Sequence, residues 1–398
     1  MTTNTVKNKK YIVKYKAITI YKRENVMKRI YNYLKKDAVL TISWVLAIIS
    51  MLFINPDKAY AGYIDWRSLG ILWSLMIITK GYMQNGIFEK IGHALLTRTR
   101  KMWQLIAVLV GLNFFSSMII TNDVSLITFV PFAIMMLKQC GRQELMIPVV
   151  VLQTIAANLG SMLTPIGNPQ NLYLYGLAGK GIGGFIMWLL PYTIVSALLL
   201  VISILLIKNK NEIICIEDTD SEAAHNTSVP RVMAYSVLFV LALLVVARVL
   251  TWYILAAVVL ITVLLLEKNV LAKADYALLL TFIGFFIFTG NMGRVEPVAH
   301  FLAGIVNGRE LEAGIITSQC ISNVPAALLL SEFTDNIKNL AIGVNIGGLG
   351  TLIASMASLI SYKLYANEVP EKKGKYFAAF TVYNIIFLVV LYVFTKLI

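Results

Sequence analysis

The chain has 398 residues, of which 58% are apolar and 14% charged, and its mean hydropathy is +0.74. A soluble domain carries roughly a quarter of charged residues and a disordered chain few apolar ones, so both classes are excluded and an all-α polytopic membrane protein is expected. The formal net charge of +14 would suit nucleic acid, but eleven of the 35 Lys and Arg crowd into the first 36 residues, ahead of the first apolar run, which marks a cytoplasmic flank and no nucleic-acid arm.

In chain order, a basic cytoplasmic N-terminal segment (1–37) precedes the first of nine apolar runs of spanning length. These run from Ala38 to Ile54, Trp66 to Met83, Leu145 to Leu177, Ile182 to Ile207, Val232 to Ala247, Val249 to Leu266, Tyr276 to Gly293, Leu340 to Tyr362 and Tyr376 to Thr395. Two further segments, Trp103 to Leu137 and Leu311 to Leu330, are apolar but carry polar clusters at their middles, and predict re-entrant hairpins. The first hairpin is expected to turn through Ser116, Ser117, Thr121, Asn122 and Asp123, with Pro131 in its returning arm. The second turns through Ser318, Ser322, Asn323, Val324 and Pro325. If the chain starts inside and only the nine runs cross, 25 of the 35 basic residues fall on the inner side, as the positive-inside rule requires. The polar loop 208–230 then divides a first repeat (38–207) from a linking span plus second repeat (231–398). Cys140, Cys215 and Cys320 lie far apart without a CxxC pair and are expected to be small buried hydrophobes.

The repeat is legible residue by residue. Asn158 to Leu172 laid over Asn345 to Leu359 matches Asn158 with Asn345, Gly160 with Gly347 and Thr164 with Thr351, and sets Ser355 and Ser358 where the first copy has Asn168 and Asn171. Upstream, Ser117, Thr121 and Asn122 echo Ser318, Ser322 and Asn323, and Asp65 and Thr79 are spaced as Asp275 and Thr289. An odd linking crossing gives the second copy the opposite direction, hence an inverted repeat, the pattern of secondary transporters whose site lies at the bilayer midplane.

The chemistry follows from the breakers. Asn158, Gly160, Ser161, Thr164, Pro165, Gly167, Asn168, Pro169 and Asn171 are too dense a set of helix breakers and amides for a continuous helix, and a break near Thr164 to Pro169 is expected, with a second around Gly347 to Ser355. Two discontinuous helices offer free carbonyls to a cation and half-helix N-termini to an anion. Asp123, an acid at an intramembrane tip, reads either as a cation or proton site or as a cap on the returning helix. No Walker A, GxSxG, HExxH or dinucleotide motif occurs, so neither an ATP-driven pump nor an enzyme of the intramembrane hydrolase type has residue support, and no cofactor or structural metal is expected.

Thr121-Asn122-Asp123-Val124 with Pro131, Asn158-Leu159-Gly160 running to Thr164-Pro165-Ile166-Gly167-Asn168-Pro169-Gln170-Asn171, and Ser322-Asn323-Val324-Pro325 resemble the ion transporter superfamily. That group contains arsenite permeases, D-type Na+/H+ antiporters, citrate-metal permeases and divalent anion:Na+ symporters. The chain is similar to a citrate-transporter-like anion permease. The resemblance implies an elevator-type secondary active carrier, with hairpin tips and broken helices holding a small anion and a coupling Na+ or H+, and a homodimer in the bilayer. It places Na+ near Asn122, Asp123 and Asn323 and substrate among Ser117, Thr121, Ser318, Ser322, Pro325, Asn345, Thr351 and Ser355. The symporters' Ser-Asn-Thr tips map to Thr121-Asn122-Asp123 and Ser322-Asn323-Val324, which depart from the pattern at both third positions and lean toward the arsenite-permease and antiporter branch. Expected, then, is an integral plasma-membrane anion permease, bacterial inner membrane, N-terminus cytoplasmic. A Na+(Li+)/H+ antiporter without organic substrate and an architectural scaffold are the alternatives.

Overall fold

A computed structural model describes residues 38–96, 99–207, 212–213 and 228–398. The basic segment 1–37, Cys215 and nearly all of the linker 208–230 lie outside the described residues. Among the described residues the structure is helical throughout, the one β-bridge being Lys101 with Ile213. Six helices are long and apolar enough to cross a membrane, and Val39–Ser50, Trp252–Leu266 and Glu296–Val306 are shorter apolar helices. In chain order the helices are α1 (Ala38–Ser50), α2 (Trp66–Gln84), α3 (Ile87–Leu96), α4 (Met102–Ile120), α5 (Asn122–Gln139), α6 (Met146–Ser161), α7 (Pro169–Leu177), α8 (Ile182–Leu206) and α9 (Val229–Val246). They continue as α10 (Trp252–Leu266), α11 (Tyr276–Arg294), α12 (Glu296–Val306), α13 (Glu310–Ile321), α14 (Asn323–Leu330), α15 (Ile337–Gly347), α16 (Met356–Glu368) and α17 (Lys373–Thr395).

The repeat is built twice from the same local devices. Asp65 starts α2 by accepting from the Ser68 N–H (3.0 Å), and Asp275 starts α11 by accepting from the Leu278 N–H (3.1 Å), each carboxylate satisfying one orphan donor of a first turn. One amphipathic helix follows each, α3 and α12, and then a helix pair joined by a single residue. Those joints, Thr121 (φ 72°, ψ 149°) and Ser322 (φ 76°, ψ 155°), share a backbone conformation that normally requires glycine. The expected tips were wider. Ser117 lies inside α4 and Ser318 inside α13, their hydroxyls bonded to the carbonyls of Phe114 (3.0 Å) and Gly314 (2.6 Å), because both helices run unbroken to the residue before the joint.

Two groups of helices emerge from the packing. In one, α1 lies against α11, and α9 and α10 lie against α2, with α11 also packed on α14 of the other. Gly284 lets Ser43 approach α11, and Asn291 on α11 donates to Ser50 Oγ (2.9 Å) and to the Tyr60 hydroxyl (2.8 Å). Glu267 clasps the other side, accepting from Asn85 Nδ2 (3.2 Å), the Tyr235 hydroxyl (2.9 Å) and Arg231 Nη1 (2.8 Å). In the second group α4 packs on α5 and α6, α13 on α14 and α15, and the two halves cross: α5 meets α16, and α14 meets α7. Cys140 is half-buried, whereas Cys320 is exposed, against expectation, because it shares the outward face of α13 with Ile316 one turn earlier.

Close approach at two glycines fixes the second group. A Cβ on Gly160 would overlap the Phe114 carbonyl and stand 2.7 Å from Ser117 Oγ, and one on Gly347 would stand 2.8 Å from Ser318 Oγ and 2.9 Å from Ile315 Cα. Gly160→Ala should therefore lower the melting temperature of the detergent-solubilised protein. Gly111→Ala, at a helical position with open space around the added carbon, should leave it unchanged or raise stability by about 1 kcal/mol. Thermal unfolding followed by size-exclusion chromatography separates the two.

Candidate functional site

Helix α6 ends at Ser161 and α7 begins at Pro169, leaving residues 162–168 non-helical; α15 ends at Gly347 and α16 begins at Met356, with one 3-10 turn (Leu352–Ala354) between them. The first break spans the expected Thr164 to Pro169, with Pro165 and Gly167 buried inside it. Pro169 suits the first position of α7, where no N–H is needed, and Asn168 caps that helix through the Asn171 N–H (2.9 Å).

At both breaks the hairpin and the broken helix hold each other by the same bond. In the first, the Asn122 N–H donates to the Gly167 carbonyl (3.1 Å) instead of back along its own chain, which frees the Met118 carbonyl, and Thr164 Oγ1 donates to it (2.5 Å). In the second, Thr351 Oγ1 donates to the corresponding carbonyl, Gln319 (3.3 Å). The hydroxyls of Thr164 and Thr351 thus latch hairpin to helix. Gln319 strengthens the second latch, its Nε2 reaching the carbonyls of Gly347 (2.8 Å) and Leu349 (2.9 Å) while its Oε1 accepts from the Thr351 N–H (2.9 Å).

Between the latches lies a buried amide cluster in which each half reaches into the other. Asn158 Oδ1 accepts from Ser355 Oγ (2.9 Å) and from Asn122 Nδ2 (3.2 Å), and its Nδ2 donates to Ser358 Oγ (3.4 Å). In the opposite sense Asn345 Oδ1 accepts from Asn168 Nδ2 (3.0 Å), and Asn345 Nδ2 donates to Asn171 Oδ1 (2.6 Å). The first asparagine of each repeat is therefore held by the two cap-end positions of the other, a pseudo-two-fold exchange. All of these side chains are buried, with Asn158 4% and Asn345 2% exposed. In an apolar surround, orphaning one such amide is costly, so the cluster specifies a single arrangement.

Asn323, with 4% exposure, stands beside Gly348, whose added Cβ would lie 2.8 Å from its Nδ2, and it accepts only a long bond from Ser322 Oγ (3.4 Å). Pro325 is buried in the first turn of α14. Asp123, on the first turn of α5, has a buried Oδ1 with no hydrogen-bond partner among the described residues, and Asp275 and Lys80 are the charged groups acting on it. No cluster of three or more His, Cys, Asp or Glu exists among the described residues, so an ion here would be held by amide, hydroxyl and backbone oxygens with at most one carboxylate.

Four helices, α5, α7, α14 and α16, begin at this cluster, at Asn122, Pro169, Asn323 and Met356. Their N-termini carry positive partial charge, and neither Ser322 nor Ser355 caps the first turn that follows it. Sequence reading overlooked Gln319 and Gln153, and placed Ser161 only among the breakers of the first discontinuous helix. Gln153 Nε2 bridges the two hairpin arms through the carbonyls of Leu109 and Phe129 (both 3.2 Å), and Ser161 Oγ accepts from Asn168 Nδ2 (3.2 Å).

Long apolar helices around discontinuous ones that meet at a buried polar centre define an integral membrane transporter. Residues 27–338 match the citrate transporter (CitMHS) family, and the chain belongs to that family. It is 31% identical over 361 residues to the transporter MJ0456 of Methanocaldococcus jannaschii, covering 90% of this chain and 97% of that one. It is 30% identical over 344 residues to the inner membrane protein YbiR of Escherichia coli (81% and 87% covered), and 30% over 148 residues to the silicon efflux transporter LSI3 of rice (36% and 30% covered).

The latches carry a direct expectation. Thr164→Val keeps the shape of the side chain but leaves the Met118 carbonyl unpaired, and should cost about 1–2 kcal/mol in thermal stability. Thr351→Val should cost less, since Gln319 holds that junction through three further bonds.

Proposed function

We propose that the protein is a secondary active anion permease that carries a small di- or tricarboxylate, arsenite or similar inorganic anion, coupled to Na+ or H+. The observation that supports it most is the meeting of four half-helix N-termini at the amide cluster, three of them, those that follow Thr121, Ser322 and Ser355, without a side-chain cap. Such ends favour negative charge, and amides supply donors without adding a competing carboxylate. The family's description points to citrate and the rice relative's to silicon, both met by proteins as oxygen-rich species that this donor set can bind. Asp123, which follows the cluster residue Asn122 and has an unpartnered buried oxygen, is assigned to the coupling cation.

In this reading the nine apolar runs cross the membrane, the pairs α4–α5 and α13–α14 enter and return on the same side, and the N-terminus is cytoplasmic. The E. coli relative, an inner membrane protein by name, favours the inner membrane. The group α1, α2, α9, α10 and α11 is the scaffold, and the hairpins with the broken helices move as an elevator. An apolar groove of about 780 Å³ lined by Tyr82 on α2, Phe239 on α9 and Leu112, Phe115 and Ile119 on α4 supports this division, because α2 and α9 are loosely packed against α4 there.

Asn122→Ala and Asn323→Ala should each abolish anion uptake into proteoliposomes while leaving monodisperse protein in the membrane. Transport retained in both variants would remove the site assignment. A Na+/H+ antiporter is the second reading, favoured by the buried orphan oxygen of Asp123. Asp123→Asn should remove cation coupling under the first reading and all exchange under the second.

A further inference from the structure

A cavity of about 520 Å³ lies away from the amide cluster, where Arg67 at the start of α2 and Arg248 in the turn between α9 and α10 converge with Thr251, the residue preceding α10. Gly176 also borders it, eight positions along α7 from Asn168, hence roughly 12 Å from the cluster along the helix axis. Both arginines are among the ten basic residues that the charge-based topology leaves off the inner side.

Neither guanidinium has an acidic partner. Among the described residues Arg67 and Arg248 form no ion pair, and Arg67 Nη2 is buried without a hydrogen-bond partner. Asp65 also stands beside Gly176, but its two oxygens take the N–H (3.0 Å) and hydroxyl (2.5 Å) of Ser68. Arg248 is held in place by its surroundings: its backbone sits at φ 64°, a conformation glycine normally takes, its guanidinium lies 5.3 Å from the centre of the Tyr175 ring, and its Nη2 makes only long bonds to the carbonyls of Tyr175 (3.3 Å) and Gly176 (3.4 Å). A buried guanidinium nitrogen left unpaired costs free energy unless something supplies an acceptor. Two guanidinium forks, a hydroxyl and the N-terminus of a 15-residue helix form a donor set that matches an oxyanion with several equivalent oxygens.

We propose that this cavity binds a phosphate-type oxyanion, held between Arg67 and Arg248 with Thr251 and the first turn of α10 completing the contacts. Its place in the molecule allows two sources. Trp252 and the exposed Tyr253 (59%) line it, and the half-exposed Trp66 (49%) precedes Arg67 in the chain, as aromatic residues gather at the level of lipid headgroups, so the group can be the phosphodiester of a phospholipid or a free phosphate from the aqueous phase. Because Arg67 belongs to the scaffold side and Tyr175 and Gly176 to a broken helix, the bound anion would bridge the two.

The test uses the full chain, delipidated in non-ionic detergent, with thermal unfolding followed as inorganic phosphate and, separately, short-chain phosphatidylglycerol are titrated in. At least one of the two should raise the melting temperature of the wild type. Arg67→Gln combined with Arg248→Gln should weaken that protection by roughly tenfold or more, with Arg67→Lys/Arg248→Lys restoring part of it. Thr251→Asp tests the site without removing an arginine: aspartate is a good helix cap, so the fold is kept, while its carboxylate neutralises the pair and should abolish protection. Protection by phosphate assigns a solute site, and protection by the lipid alone assigns a headgroup site. No protection of the wild type by either, or equal protection of the wild type and Thr251→Asp, overturns the proposal.

Discussion

A backbone amide or carbonyl in hydrocarbon has no water to turn to, and this molecule interrupts its helices at four places where it would need one. The bonds that answer for those interruptions organise everything else. Asn122 gives its N–H to Gly167, Thr164 takes over the carbonyl that this frees, Asn168 caps α7, and Asn158 and Asn345 each reach into the opposite half. Remove the exchange between halves and the breaks become buried unpaired groups. With it they become a preformed polar centre whose donors belong to helix N-termini, and that is what a transported anion requires.

Duplication makes the arrangement attainable. Each half alone would leave its asparagine short of partners, since Asn158 finds its hydroxyl partners Ser355 and Ser358 only in the second repeat, and Asn345 finds Asn168 and Asn171 only in the first. The strained joints at Thr121 and Ser322 persist on the same terms, each costing on the order of 1–3 kcal/mol and each fixed by a helix packed through glycine onto the arm before it. The halves are not identical in chemistry. Asp123 stands where the second tip has Val324, so only the first tip carries a charge.

Much of this was legible in the sequence because the repeat is in register there. Gly160 and Gly347, Thr164 and Thr351, and Asn158 and Asn345 align without a gap and occupy equivalent places in space. Other features were hidden for physical reasons. The hairpin tips narrowed to one residue each because Ser117 and Ser318 return their hydroxyls to their own helices, a choice that composition does not reveal. Gln319 and Gln153 looked like isolated polar residues in apolar runs, since their partners are backbone carbonyls of other segments, which carry no side-chain signature. The Arg67 and Arg248 pair is separated by most of the first repeat, so only the fold brings it together.

The central claim is that the amide cluster is built for an anion. Flux into proteoliposomes carrying a trapped pH dye tests it most directly, with Na+ or Li+ added alone and then with citrate, succinate, phosphate or arsenite. The account predicts saturable flux that appears only when one of the anions is present. Dissipation of a proton gradient by the cations alone, unchanged by any anion, would contradict it and leave Asp123 as the centre of a cation exchanger.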